Sequence, residues 1–301
     1  PPGPTGATST LGSITMTTAR TTGAPTPEDP PRATCPPPAH TTRRALLLAV
    51  VSAALGLLAT ACTLVPNTGP DGDAFYTPPS PLPAGTTGDV VWYHSTSALG
   101  APSSDAWQIM YRSTSATGQA NVVTGVVIVP TAAWTGSGPR PIVAFAPGTQ
   151  GLGDQCAPSK SISTGTGIGG GEVNAALNKG WAVVQTDYEG LGTPGEHTYI
   201  VGPAMGHAVL DSVRAATRLP FLNLKATAPV AIWGYSEGGA AAGWAGELQP
   251  TYAPELNLKG VAAGGVPADL VAVANNLDGG LGFGEGAAGS CGDEVGEHRA
   301  V

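Results

Sequence analysis

Apolar residues in this chain fall in short runs separated by breaks rich in Gly, Pro, Ser and Thr. Trp107 to Arg112, Asn121 to Val129, Ile142 to Ala146 and Trp181 to Thr186 read as strands, because they are short, β-branched or aromatic, and bounded by turn formers. The first two are close enough to make a hairpin around Ser113 to Gln119. Between the later runs lie Glu172 to Lys179 and Met205 to Leu219. In the second of these, Met205, Val209, Leu210, Val213 and Ala216 recur at the spacing of one helical face. Pro229 to Trp233 predicts a buried parallel strand and Gly238 to Leu248 an Ala-rich helix, followed by a strand at Gly260 to Gly264 and a helix at Ala268 to Leu277. Alternating strands and helices predict an α/β fold with a mostly parallel sheet and right-handed crossovers. Such a sheet takes its ligand at the carboxyl ends of the strands.

The rest of the chain lacks this alternation. Residues 1–40, dominated by Pro, Thr, Ala and Gly, are expected to be a disordered or untranslated leader, with Met16 a candidate start. Residues 41–62 have the layout of an export signal: Arg43 and Arg44, an apolar run from Ala45, then the small residues Ala59 and Ala61. Cys62 directly follows Leu-Ala-Thr-Ala, which resembles a bacterial lipobox, so Cys62 is the lipidation candidate; the Arg pair also resembles a twin-arginine signal. A membrane anchor is the alternative, but the apolar run is short for a span and closes on small residues. Residues 63–88 read as a Pro/Gly-rich linker, 89–284 as the folded part, and 285–301 as a divergent acidic, Gly-rich tail.

Composition narrows the partners. A net charge of −8 without any Lys/Arg cluster argues against a nucleic-acid partner, since nothing would displace counterions from phosphates. Cys35, Cys62, Cys156 and Cys291 show no C-x-x-C spacing, so neither a zinc nor a redox site is expected.

The chemistry is concentrated where the Pro229 run stops. Gly234-Tyr-Ser-Glu-Gly238 places Ser236 between a strand and a helix, with Gly234 and Gly238 removing the side chains that would collide as the turn tightens. That is a nucleophile elbow, in which a strained backbone projects the serine Oγ. With 44 Gly in 301 residues the five-residue pattern alone is weak; the flanking strand and helix carry it. A second strand, from Val143, ends in Pro147-Gly-Thr-Gln-Gly151, whose glycines let backbone approach a substrate. In hydrolases with an elbow, this loop gives one N–H to the oxyanion hole and the residue after the nucleophile gives the other. Glu237 is thus one backbone donor, and Thr149, then Gly148, are the candidates for the second.

Together these residues resemble the secretory lipases, a family that includes the fungal lipase A type and many actinobacterial lipases. The resemblance rests on PGTQG at 147–151, DQCAPS at 154–159, TDYEGLG at 186–192, GHAVLDSVRAA at 206–216, GYSEGG at 234–239 and NNLDGGLGFG at 275–284. It implies an α/β-hydrolase core with an inserted lid, incomplete here at the C-terminal end. It also implies hydrolysis of carboxylic esters including triacylglycerols, no metal or organic cofactor, and Ser236 as nucleophile. Cys156 would form a disulfide with a downstream cysteine, for which Cys291 is the candidate. Asp187 resembles a position that fixes its loop rather than reacting.

The triad acid and base do not emerge. Chain order in this fold is Ser, acid, His, and the one histidine after Ser236 is His298, which Asp293 or Asp278 would have to support. His207 precedes the serine and reads as a helix residue packed under the sheet; His94 and His197 read as loop residues, with His197 near the mouth of the site through Tyr188-Glu189-Gly190. We therefore expect a C-terminus lacking the triad acid and base. The leading reading is an exported, extracellular or envelope-held serine lipase or esterase, meeting the membrane only through a lipid anchor. A non-catalytic fragment or surface lipoprotein, and a peptidase or amidase on the same fold, remain the alternatives.

Overall fold

The computed structural model describes residues 67–162 and 170–278. The leader, the export segment with Cys62, and the tail from 285 lie outside these residues. Eight strands form one sheet: β1 (Asn67–Thr68), β2 (Val90–Thr96), β3 (Ser104–Thr114), β4 (Ala120–Pro130), β5 (Ile142–Ala146), β6 (Ala182–Thr186), β7 (Val230–Tyr235) and β8 (Leu258–Gly264). The helices are α1 (Pro158–Ile162), α2 (Gly170–Asn178), α3 (Gly202–Arg218), α4 (Glu237–Tyr252) and α5 (Leu270–Leu277).

The spatial order is β1-β2-β3-β4-β6-β5-β7-β8. From β2 to β6 the pairing is antiparallel wherever β3 or β4 takes part, and β6, β5, β7 and β8 run parallel. The β3–β4 hairpin is closed by Ser115, whose Oγ accepts from the N–H groups of Thr117 and Gln119. All five residues of β5 and of β6 are buried, as befits parallel strands covered on both faces. The apolar stripe of α3 and the Ala-rich face of α4 fill one side of the sheet; Val173, Ala176 and Leu177 of α2 fill the other. Helices α3 and α4 pack closely because Gly206 carries no side chain: a Cβ there would lie 3.1 Å from the Ala245 nitrogen.

This order places the site. The chain leaves β5, crosses to β6 on one side and returns to β7 on the other, so β5 ends beside β7 with Ala146 paired to Gly234. The loops after β5 and β7 therefore emerge together at the carboxyl edge, the topological switch point.

Two expectations are corrected. Residues 67–88 are not an irregular tether: Phe75 and Tyr76 are 1% and 5% exposed, the Trp92 indole donates to the Phe75 carbonyl, and the Gly69 N–H donates to the Tyr93 carbonyl. Two buried aromatic side chains outweigh a composition of Pro and Gly. His94 lies on a strand, β2, rather than in a loop, with Nε2 2.6 Å from Asp71. The polar His-Ser-Thr at the end of β2 masks its alternation.

Candidate active site

Ser236 stands alone between the last residue of β7 and the first of α4, at φ 62° and ψ −122°. A positive φ in a residue with a Cβ is strained, by about 1–3 kcal/mol, and survives where surrounding structure holds it. Here the Ser236 N–H donates to the Gly264 carbonyl and its own carbonyl accepts from Ala240, both at 3.0 Å. The glycines are sterically required. A Cβ at Gly234 would sit 2.2 Å from the Gly238 oxygen, and one at Gly238 would sit 2.0 Å from the Ala146 oxygen. Gly239, not singled out from the sequence, is held as tightly, 2.1 Å from the Gly264 oxygen.

Ser236 lines a cavity of about 700 Å³ with Gly148, Thr149, Phe145, Trp233, Tyr235 and Glu172 among its walls. Gly148 lies directly against the elbow: a Cβ there would be 3.0 Å from the Tyr235 oxygen and 3.9 Å from the Ser236 Cβ. The Thr149 hydroxyl is 2.9 Å from the Tyr199 hydroxyl. Glu237 is the first residue of α4, so its N–H has no acceptor within the helix. The geometry thus gathers the serine, the Pro147–Gly151 loop and the free amino end of a helix around one cavity.

The Glu237 side chain was not anticipated to matter. It turns inward, its side chain 3% exposed, and its Oε1 lies 3.2 Å from Nε2 of His197, whose side chain is 2% exposed. The His197 side chain is therefore buried, and it is not among the residues lining the cavity. Its Nδ1 faces the Glu189 carbonyl at 3.1 Å. Burial pulls the His197 pKa down, but the Glu237 hydrogen bond, the Glu189 carbonyl and the Glu237 charge together carry it above the ordinary histidine value. Beside it Tyr188, at φ 68°, donates from its hydroxyl to the Pro147 carbonyl at 2.8 Å. The signal for this arrangement was a glutamate in a motif position whose backbone alone was being read.

The remaining residues occupy structural places. Asp187 is fully buried, accepting from the Ser159 N–H and hydroxyl and, at 2.7 Å, from the Thr124 hydroxyl, so it ties the loop after β6 to α1 and β4. Burial pushes its pKa up to about 6 against the opposing pull of those hydrogen bonds. Cys156 is disulfide-bonded; Cys291, its candidate partner, lies outside the described residues. His207 is on α3, stacked 4.0 Å from Tyr252 and bonded to the Thr114 carbonyl. Asp278 follows the last residue of α5, whereas Asp293 and His298 lie outside the described residues.

The class that this sheet order and elbow define is the α/β-hydrolases. The model of the secretory lipase family matches residues 157–288, and the chain is similar to that family over this stretch. Lipase 10 of Candida albicans is 36% identical over 235 residues, covering 72% of this chain and 48% of that protein. A secreted triacylglycerol lipase of Malassezia globosa is 32% identical over 234 residues, covering 72% of this chain and 48% of its own length. The structure of Candida antarctica lipase A superposes with a TM-score of 0.58 at 30% identity, covering 70% of this chain and 49% of that one. The chain spans about half the length of these relatives.

Proposed function

We propose that this protein is a serine carboxylic-ester hydrolase of the lipase or esterase kind, with Ser236 as its nucleophile. The observation that carries the reading is that Ser236, on a strained strand-to-helix turn, shares one cavity with Gly148 and Thr149 of the loop after β5. Ser236 Oγ attacks the ester carbonyl carbon, and the oxygen that becomes anionic is held by the Glu237 N–H and by an N–H of Thr149 or Gly148. Collapse of this intermediate expels the alcohol and leaves an acyl-serine, which water then hydrolyses to free the acid and restore the hydroxyl. The proton accepted from Ser236 and returned to the alcohol passes through a histidine in this fold; no described residue takes that role in our scheme. The chemistry uses no metal or organic cofactor.

The substrate class follows the similarity to secretory lipases: carboxylic esters, with triacylglycerols favoured by the likeness to the secreted triacylglycerol lipase of Malassezia globosa. Export is supported by the layout of residues 41–62 and by the family's secretory character. Attachment through a lipidated Cys62 is tested by mass spectrometry of the mature N-terminus. A diacylglyceryl-cysteine is expected, and an unmodified terminus at or beyond Cys62 contradicts it.

Turnover of short- and long-chain acyl esters beside the matching anilides tests the activity. Hydrolysis of esters that vanishes in Ser236→Ala is expected. Anilide hydrolysis exceeding ester hydrolysis would assign the fold to amide bonds instead.

A further inference from the structure

One loop touches the proposed oxyanion pocket at three points. From the residues after β6, the Tyr188 hydroxyl holds the Pro147 carbonyl at 2.8 Å, the Tyr199 hydroxyl meets the Thr149 hydroxyl at 2.9 Å, and His197 meets the Glu237 carboxylate at 3.2 Å. The three rings lie against one another, His197 6.2 Å from Tyr188 and 6.0 Å from Tyr199. Both flanks of the pocket, the loop after β5 and the first residue of α4, are thereby tied to a single segment.

His197 is the member whose chemistry is most constrained. Its Nδ1 faces a carbonyl oxygen, which only accepts, so Nδ1 carries a proton. Its Nε2 faces an oxygen of the Glu237 carboxyl, which when ionised also only accepts, and then Nε2 carries one too. Both side chains are almost wholly buried, and a lone charge on either would be strongly disfavoured, so ring and carboxyl are charged together or neutral together. The titratable groups facing the ring are the Glu237 carboxyl from α4 and the Tyr188 and Tyr199 hydroxyl-bearing rings from its own loop.

We propose that His197, held as an imidazolium between the Glu189 carbonyl and the Glu237 carboxylate, is a positioning residue that fixes the Glu237 N–H for the oxyanion. This rests on the reading of Ser236 as the nucleophile. The upward displacement of the His197 pKa by its partners agrees with it. As pH rises through that folded value, Nε2 loses its proton and its lone pair meets that of Glu237. The turn at the start of α4 then loosens, and acylation of Ser236 slows on the alkaline side. His197 does not reach the reacting atoms in this scheme; it acts through Glu237.

The test is the rate of Ser236 acylation by a fluorophosphonate, measured on the full chain from pH 5 to 10 for wild type and His197→Gln, with far-UV circular dichroism reporting the fold. We expect His197→Gln to slow acylation about tenfold at pH 6, without weakening saturable binding of the probe, and to lack the alkaline decline. A His197→Gln rate and profile like wild type overturn the positioning role, as does a slower rate that keeps the alkaline decline. Absence of Ser236-dependent labelling in wild type overturns the hydrolase reading itself and the positioning role with it. Should His197→Gln not fold, nitrogen chemical shifts of the wild-type imidazole decide: two protonated nitrogens at pH 7 uphold the proposal, and a neutral ring overturns it.

Discussion

A Cβ at position 238 would lie 2.0 Å from the carbonyl oxygen of Ala146, the last residue of β5. Helix α4 therefore begins against the backbone of the neighbouring strand, and this contact brings the elbow to the loop that follows β5. Both groups are backbone and neither can rotate away. Gly238→Ala is expected to lose about 3 kcal/mol of stability in urea unfolding. Gly243→Ala, where a Cβ meets nothing within 4 Å on the same helix, is expected to gain about 0.5–1 kcal/mol.

Arg214 joins α3 to the last residue of α4 and to the loop that follows it. Its guanidinium donates to Asp211 at 2.7 Å, to Glu255 at 2.6 Å and to the Tyr252 carbonyl at 2.7 Å. Asp211 is fully buried, Glu255 half exposed. Arg214→Ala leaves the Asp211 carboxylate buried without its cation and is expected to lower stability by about 3–5 kcal/mol. Glu255→Gln is expected to cost less, about 1 kcal/mol, because Glu255 is half exposed and Asp211 still faces the guanidinium. Chemical denaturation of both variants checks the contrast.

Asp187 makes stability depend on pH in the opposite sense to a salt-bridged carboxylate. Its folded pKa, about 6, lies above the unfolded value near 3.9, so between these values the folded state binds more protons. Stability therefore falls as pH rises through that window, by about 3 kcal/mol in all. Asp187→Asn removes this titration, and its unfolding free energy is expected to lose that slope between pH 4 and 6. An unchanged slope would locate the effect elsewhere.

Tyr188 connects stability to the proposed chemistry. Tyr188→Phe removes the donor to the Pro147 carbonyl and leaves that buried acceptor unmet, a loss of about 1–2 kcal/mol. Because Pro147 opens the loop bearing Gly148 and Thr149, acylation of Ser236 is also expected to slow, about tenfold. Comparing the thermal midpoint with the acylation rate separates the two effects.

What could be read from the sequence was what depends on neighbours in the chain. The elbow was legible because Gly234 and Gly238 are needed by a turn five residues long, and helix α3 because its apolar residues repeat on one face. Strand β2 was missed because its pairing with β3 is invisible locally. Phe75 and Tyr76 were lost among prolines, although their burial fastens residues 67–88 to the sheet. The His197–Glu237 contact joins residues forty positions apart, and the one local signal, a glutamate inside the elbow motif, says nothing of its partner. Gly239 looked like one more glycine in a rich stretch until the Gly264 carbonyl was seen beside it.

The central claim is that Ser236 is a nucleophile. Intact-protein and peptide mass spectrometry after exposure of the full chain to a fluorophosphonate tests it most directly. One adduct on the peptide containing Ser236, absent from Ser236→Ala, is the predicted result. Equal labelling of Ser236→Ala, or no adduct on wild-type protein with a native circular dichroism spectrum, would contradict it.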